Sequence, residues 1–281
     1  MQFINSLQRI QQARHLNRLA ALGRHLLWQA RKPLLRFAPA DRRLSRSLIR
    51  DDVPGGVIAL VNSLGCYDYN NMSFVQHLLR QGGLFIDVGA NIGAYTLIAS
   101  ELPGVTVVAL EPNPTAFRKL CFNVERNRRR NVHLLNEAAS DHAGTIQMTN
   151  DGSSSINRVV DPVADPDGQQ AATIAVPCRR LDQSLPSLGL PIPDGLPVLV
   201  KMDIEGHEPA ALAGMEGLFD RIDAILVENG ERDGCRRILT EAGFQGPYFV
   251  DLGSARLRRA PLPGKEDALY LRAPVEGFCP D

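Results

Sequence analysis

The chain has 281 residues, 44% of them hydrophobic and 22% charged, with a formal net charge of zero. That length buries a full core in one large domain plus an extension, and the composition is that of an ordinary globular protein. No run approaches the roughly 18 apolar residues of a membrane-spanning helix. The first 30 residues also lack the compact apolar stretch and small-residue cleavage site of a secretory leader.

The zero charge hides a split. Residues 1–50 carry eleven Lys and Arg against one acid, Asp41, a net +10, so the remainder of the chain is −10. Within residues 1–30, Phe3, Ile4, Leu7, Ile10, Leu16, Leu19, Leu22 and Leu26 recur at spacings of three and four. This is a helical stripe, and Arg9, Arg14 and Arg18 lie on the same helix. Two uses fit it: a basic amphipathic helix lying on an anionic membrane or a partner, or a helix packed on its own domain with solvated arginines. The stripe is aliphatic, without the aromatic interleaving of a single-stranded nucleic-acid arm, so no nucleic-acid partner is expected. Residues 1–50 are therefore expected to form a basic helical extension and residues 51–281 a catalytic domain. The five cysteines, Cys66, Cys121, Cys178, Cys235 and Cys279, are scattered, odd in number and without a C-x-x-C pair. That argues against a disulfide framework and for a reducing cytoplasm, with contact at the inner face of the membrane if the helix binds lipid.

From residue 51 the pattern alternates. A helix over 73–81 precedes a strand over 84–88. Then follow helix 92–101, strand 105–111, helix 114–127 and strand 132–137. Strands over 144–149 and 172–180 flank a polar loop, Asp161 to Gln170. After the Pro- and Gly-rich connection Pro186 to Pro197 come strand 198–203, helix 207–217, strand 222–228, helix 231–242 and strands 247–251 and 267–271. Alternating strands and helices predict an α/β fold with a doubly wound, mainly parallel sheet of seven strands, closed by a C-terminal antiparallel hairpin.

The first strand runs into Asp87-Val-Gly89-Ala-Asn91-Ile-Gly93, and the second ends in Glu111-Pro, 24 positions after Asp87. In such a sheet, ligands bind beyond the carboxyl ends of the strands. The dinucleotide fingerprint G-x-G-x-x-G lacks its middle glycine here, and no phosphate-cradling G-x-x-x-x-G-K-[ST] occurs. An acid before the turn repels a diphosphate and suits a cationic or zwitterionic ligand. S-adenosylmethionine has an amino group, a sulfonium and a ribose, and no phosphate. Glu111 is placed to accept the two ribose hydroxyls. The cofactor contacts expected are Asp87, Gly89, Asn91, Gly93 and Glu111.

Together with Asn123-Val-Glu-Arg-Asn127, Ala138-Ala-Ser-Asp141, Val176-Pro, Leu181-Asp182 and Lys201-Met-Asp-Ile-Glu-Gly-His-Glu208, these motifs resemble the FkbM-type S-adenosylmethionine-dependent methyltransferases. The resemblance spans roughly residues 66–230 and is most specific at Lys201 to Glu208. It implies a class I methyltransferase fold, S-adenosylmethionine as cofactor, and O-methylation of a hydroxyl on a sugar, glycolipid or natural product. A small-molecule or glycan acceptor follows from it.

Asp87, Glu111, Asp203 and Glu228 each close an apolar run, so a parallel sheet brings them to one rim. Four carboxylates there repel unless they meet cations, hydroxyls or protons. If the strand continues through Lys201, Asp203 and Glu205, all three share a face. The resemblance puts this segment beside the transferred methyl group. Asp203 and Glu205, then His207, are the candidates to take the acceptor's proton, and Lys201 to hold Asp203 ionised or orient the acceptor. His207 and Glu208 also fit a plain helix start, where Glu208 complements the dipole. Carboxylates and imidazole suit Mg²⁺ or Mn²⁺, but Asp203, Glu205 and His207 match no closed metal motif, so no metal is expected. Asp141 is expected to reach the adenine and Ser153 to Ile156 to border cofactor or acceptor. A nicotinamide-dependent oxidoreductase is the rival chemistry, disfavoured by the missing glycine and by the lack of Tyr-x-x-x-Lys after the fourth strand; a non-catalytic binding module is disfavoured by the rim acids.

Overall fold

In the computed structural model, residues 18–35, 41–51, 61, 65–66, 68–150, 157–160, 172–192, 194–231, 233–261 and 267–281 are described. In chain order they form α1 (Arg18–Leu35), β1 (Arg42–Leu44), β2 (Ser47–Ile49), α2 (Tyr69–Leu78), β3 (Gly83–Val88), α3 (Ala94–Ser100), β4 (Val105–Leu110), α4 (Pro114–Arg126) and β5 (Val132–Leu135). There follow β6 (Ala138–Ala139), β7 (Gly144–Thr149), β8 (Thr173–Arg179), α5 (Leu181–Ser187), β9 (Val198–Met202) and α6 (Glu208–Ala213). After a 3-10 turn (Glu216–Arg221) come β10 (Ala224–Glu228), α7 (Asp233–Glu241), β11 (Gln245–Asp251), β12 (Arg256–Arg258), β13 (Asp267–Leu271) and β14 (Cys279–Pro280).

Nine strands make the main sheet in the order β14-β12-β11-β13-β10-β9-β3-β4-β5. The pairs from β10 to β5 are parallel, and β13 inserts antiparallel between β10 and β11. The expected C-terminal hairpin is therefore present, and the expected seven strands are extended to nine by the short β12 and β14. The chain leaves β3 for β4 on one side and later returns to β9 on the other, so the strand order reverses at β3. Ligand sites in doubly wound sheets lie at that point.

Alternation explains the two-sided burial. Every residue of β3 and of β9 is buried. Phe85, Val107, Leu199, Leu226 and Leu269 point to one face with Phe74, Val75, Leu97 and Ile98 of α2 and α3. Ile86, Val108, Val200 and Val227 point to the other, with Leu181, Leu212 and Leu239 of α5, α6 and α7. Strands covered on both faces read as continuous apolar runs, which is why they are legible in the sequence.

Several boundaries shift. The first predicted helix of the domain runs 69–78 rather than 73–81, with Asp68 extended just before its first turn. The predicted strand 132–137 stops at Leu135, and β6 joins β7 and β8 in a separate three-stranded sheet. The predicted helix 207–217 ends at Ala213 and gives way to the 3-10 turn. The polar loop from Asp161 to Gln170 and the serine run Ser153 to Ser155 with Ile156 lie outside the described residues.

The division at residue 50 moves. Leu44 and Ile49 are fully buried in the core of the sheet domain. The β1–β2 turn is held by Glu101, whose carboxylate accepts from Ser45, the Arg46 amide and Ser47. Asn123 on α4 and Asn127 at its C-terminal cap pair with the backbone of Arg50 and Leu48. Residues 41–50 thus belong to the folded domain, which the motif Asn123 to Asn127 stitches together.

Asn123 is fully buried and donates to the carbonyls of both Arg50 and Ile92 while accepting from the Arg50 amide. Asn123→Ala leaves these groups unpaired and should cost roughly 2–4 kcal/mol of stability, read by urea unfolding. A loss under about 0.5 kcal/mol would show that the strap adds nothing.

Candidate active site

The turn after β3 is built for close approach. Gly89 has φ 81°, and a Cβ there would lie 2.0 Å from the Asp203 carbonyl oxygen. Only glycine lets the β3 turn pass that close to the end of β9. Gly93, φ 94°, caps α3, and a Cβ there would meet Leu120 at 2.6 Å. Both glycines therefore have a packing duty, whatever ligand they also face. Between them Asn91 adopts φ 53°, which sends its amide N–H to Glu111 Oε2 at 2.8 Å.

Glu111 is 7% exposed and its other oxygen accepts the Asn113 amide at 2.8 Å. A carboxylate has about four acceptor positions, so two remain for a diol. Burial, opposed by those two amides, pushes Glu111 up to about 7; Asp87 and Asp203 add to the rise. Asp87 is 1% exposed; Thr96 Oγ1 donates to its Oδ2 at 2.6 Å, and its Oδ1 has no partner. Asn91 Oδ1 is likewise buried without a partner. Two orphaned acceptors beside a half-used carboxylate describe a place that wants hydrogen-bond donors and positive charge.

The registers put the second group together. Asp87 pairs with Lys201 across β3 and β9, and Glu228 with Asp267 across β10 and β13. Their side chains share one sheet face at the rim. Lys201 is 4% exposed, and its Nζ bonds Asp203 Oδ2 at 2.8 Å under the Tyr95 ring, 5.0 Å from the centroid. Burial alone would lower the Lys201 pKa, but Asp203, Asp87 and Asp267 overcome it and hold the ammonium charged. Burial tends to raise Asp203, yet Lys201 keeps it ionised and below its ordinary value. Glu228 shares a hydrogen bond with Asp203 and is raised, by burial first and then by Asp203.

The strand expected over 198–203 does not continue through Glu205. It stops at Met202, and Glu205 turns left-handed at φ 55° before Gly206 at 103°. Glu208 holds the turn by accepting the amides of Ile204 and Gly206. Strand alternation therefore does not place Glu205 beside Asp203; the turn does. One carboxylate oxygen from each of Asp203, Glu205 and Glu228 lies within 4.8 Å of the others. Burial, with Asp203 and Glu208 nearby, raises Glu205.

His207 faces elsewhere. Its Nε2 is 3.1 Å from Ser140 Oγ, and its charged neighbours are Asp141, Glu208 and His142. Asp141 sits after β6 in the small sheet, exposed, with its carboxylate on His142 Nδ1 at 2.6 Å. Sequence reasoning missed Asp68, Asn71, Tyr95 and Asp267. Tyr95 Oη donates to Asp68 at 2.8 Å, and Asn71 Nδ2 bonds both Asp68 and Asp267 at 2.7 and 3.0 Å. Asp267 begins an antiparallel strand, so its rim acid stands at the start of an apolar run, where a search for acids at strand ends does not look.

A doubly wound sheet with an inserted antiparallel strand and a carboxylate rim at its switch point defines a class I methyltransferase. The model of the methyltransferase FkbM domain matches residues 87–259. The chain belongs to that family. It is 30% identical over 179 residues to 31-O-demethyl-FK506 methyltransferase FkbM of Streptomyces tacrolimicus, covering 56% of this chain and 68% of that protein. It is 29% identical over 145 residues to hexuronic acid methyltransferase AglP of Haloferax volcanii, covering 50% of this chain and 54% of that one. Among solved structures, TYW2 of M. jannaschii with AdoMet is similar at TM-score 0.41 and 14% identity, over 84% of this chain and 87% of that one. Family membership sets aside the oxidoreductase and the non-catalytic module.

Glu111 gives a pH signature. Two hydroxyl donors favour its ionised form, so cofactor affinity should rise between about pH 6 and pH 8 with release of a proton. Titration calorimetry of S-adenosylhomocysteine in two buffers measures both, and Glu111→Gln should flatten the dependence. Affinity that stays flat or falls in the native protein would remove Glu111 from the diol.

Proposed function

We propose that this enzyme transfers a methyl group from S-adenosylmethionine to a hydroxyl oxygen of a small acceptor, a sugar or a natural product. The observation that carries it is Asp87: buried, acidic, with one oxygen lacking a partner at the switch point of the sheet. A phosphorylated carrier would be repelled there, and a cationic donor is attracted. The name of one relative, 31-O-demethyl-FK506 methyltransferase, supports an oxygen acceptor, and that of the other, hexuronic acid methyltransferase, supports a sugar-type one.

When bound, the cofactor supplies an electrophilic methyl group on a positively charged sulfur. Glu111 would hold the ribose diol, with Asn91 beside it, and Asp87 would face the amino group. Gly89 and Gly93 let the turn that carries Asn91 pack against Asp203 and Leu120. Asp203 is committed to Lys201 and is a weak base. Glu205 has the raised pKa and the outward position suited to taking the acceptor's proton. Aligning oxygen, methyl carbon and sulfur supplies the rest of the rate. His207, held on Ser140, is left out of the proton transfer, and Asp141, exposed after β6, keeps its proposed place near the adenine.

Glu205→Gln should slow label transfer from methyl-labelled cofactor into total cell extract by about 100-fold or more while leaving cofactor affinity within twofold. Asp87→Ala should abolish cofactor binding in calorimetry. Unchanged transfer in Glu205→Gln would move the base to another group.

The helix α1 supports a membrane-surface role. Leu19, Leu26 and Leu27 are 82%, 52% and 58% exposed, on the side opposite buried Ala21 and His25. The predicted stripe therefore does not pack inward as one face; Leu19 and Leu26 look out. No helix among the described residues is long and apolar enough to cross a membrane. An exposed leucine face in a segment of net +10 suits the surface of an anionic bilayer. Replacing Leu19, Leu26 and Leu27 by serine should abolish co-sedimentation with phosphatidylglycerol vesicles; retained binding would leave the helix a purely internal element.

A further inference from the structure

We infer that the arginine-lined end of the catalytic domain, at the amino ends of its parallel strands, docks on an anionic phospholipid surface and so turns the active site toward water. The inference rests on the site's assignment to the opposite rim, and it extends the membrane reading of α1 to the folded domain. The parallel strands run from Gly83, Val105 and Val198 to Val88, Leu110 and Met202, where the site lies. The length of β4 alone separates the two ends by roughly 17 Å. At the amino end, the Asn131 side-chain amide donates to the carbonyls of Ser100 and Val105. The last turn of α4 ends there too. Asn127 pairs with the backbone of Leu48, and Arg129 Nη2 donates to Ser47 Oγ at 2.7 Å, so the β1–β2 turn lies against the same end.

Residues 41–50 and 125–131 hold eight arginines against two acids, Asp41 and Glu125. Glu101, behind the hairpin turn, is a third. Asp41 is spent on Arg50 and Arg126, and Glu101 on Ser45, Ser47 and, at 3.7 Å, Arg129. Arg43, Arg46, Arg128 and Arg130 are exposed, and their guanidinium groups have no partner among the described residues. Uncommitted guanidinium groups gathered at one end attract anionic headgroups, each strengthening the binding by about fivefold near a charged bilayer. Lipid fits this end better than nucleic acid does. The helix α1 has no acid, and its exposed Leu19, Leu26 and Leu27 supply apolar anchors. Five residues, 36–40, join Leu35 to Asp41, so α1 ends within about 20 Å of the hairpin. Phe122, the exposed aromatic of α4, has the Arg50 guanidinium over its ring and is not an open platform for a base. Docked by the arginine end, the domain holds its carboxyl rim away from the bilayer. The acceptor then arrives from water, as a soluble compound rather than a hydroxyl at headgroup depth.

Hydrogen–deuterium exchange of the full chain, with and without vesicles of phosphatidylglycerol in phosphatidylcholine, tests docking and orientation together. The vesicles should slow exchange over residues 43–48 and 127–131 at least about threefold and leave 89–93 and 203–208 unchanged. Protection centred on the rim instead overturns the orientation. The combined variant Arg43→Gln, Arg46→Gln, Arg128→Gln and Arg130→Gln should lose at least about tenfold in co-sedimentation with the same vesicles. Salt at about 0.5 M should do the same to the native chain. Binding that survives the four substitutions overturns the arginine face, whatever the leucine variant of α1 does. Loss in the arginine variant beside normal binding in the leucine variant supports the arginine face and removes only the reading of α1. A single-stranded oligonucleotide held more tightly than the vesicles, and released by the same substitutions, overturns lipid in favour of nucleic acid. Thermal melting checks that the variant is folded, with the pair Arg128→Gln and Arg130→Gln as the substitute if it is not. Calorimetry with S-adenosylhomocysteine should give native and variant chains the same affinity; binding by neither is a failure of the methyltransferase assignment, separate from that of the docking face.

Discussion

A single buried ammonium lets this rim exist. Lys201 lies in the middle of a strand that is buried along its whole length, where a cation is expensive unless paired. Asp203 bonds it directly, Asp87 is its neighbour in register, and Asp267 acts on it from the far side of β10. Take the cation away and three carboxylates on one sheet face repel each other. They would then take up protons, and an acceptor surface made of neutral acids has little attraction for a sulfonium. The Tyr95 ring over the ammonium keeps it from exchanging Asp203 for water. The role expected of Lys201, to hold Asp203 ionised, is thus also the condition for the charge on the rest of the site.

The second constraint is spatial. Gly89 touches the backbone of Asp203, and the Asp203 amide donates to the Val88 carbonyl. The turn after β3 and the turn after β9, which we propose face donor and acceptor, are therefore packed as one piece. Glu111 extends the piece by holding Asn91 and Asn113 from two different loops. Methyl transfer tolerates little misalignment, and a site whose two halves share backbone contacts does not need a side chain to keep them in line. The same economy explains the left-handed Glu205: one strained residue at the exit of β9 swings a carboxylate back toward Asp203, and the Glu208 side chain holds the turn in place.

How much of this was legible depends on whether a residue acts within its own element. The parallel strands were, because burial on both faces leaves unbroken apolar runs, and so were the acids that end them. Asp87, Glu111, Asp203 and Glu228 could be placed on one rim from spacing alone. Contacts made across elements were not. Asp68 lies outside the helix expected over 73–81, and its side chain accepts from Tyr95 and Asn71 rather than capping. Asp267 reads as an acid before an apolar run, and only the antiparallel insertion of β13 carries it to the rim. The hairpin of β1 and β2 is too short to leave a periodicity, so residues 41–50 read as part of the basic extension. The partners of His207 and Asp141, Ser140 and His142, were not legible either, because the turn at Gly206 and the small sheet bring them together.

The charge of the rim explains binding better than it explains rate. Carboxylates that attract a cationic donor attract it before the methyl group moves as well as during transfer. As positive charge leaves the sulfur, that attraction weakens, so it contributes affinity and opposes the barrier crossing. Acceleration has to come from interactions that grow along the reaction, and the proton on the attacking oxygen is where they grow. If Glu205 is the base we propose, it gains a proton as the donor loses its charge, so the total charge in the pocket changes little between the two ends of the reaction. The donor side, with Asp87 and Glu111, then faces an uncharged thioether that it holds less firmly, which favours product release. On this view the acidic rim sets affinity and turnover order, and the left-handed turn at Glu205 sets the speed.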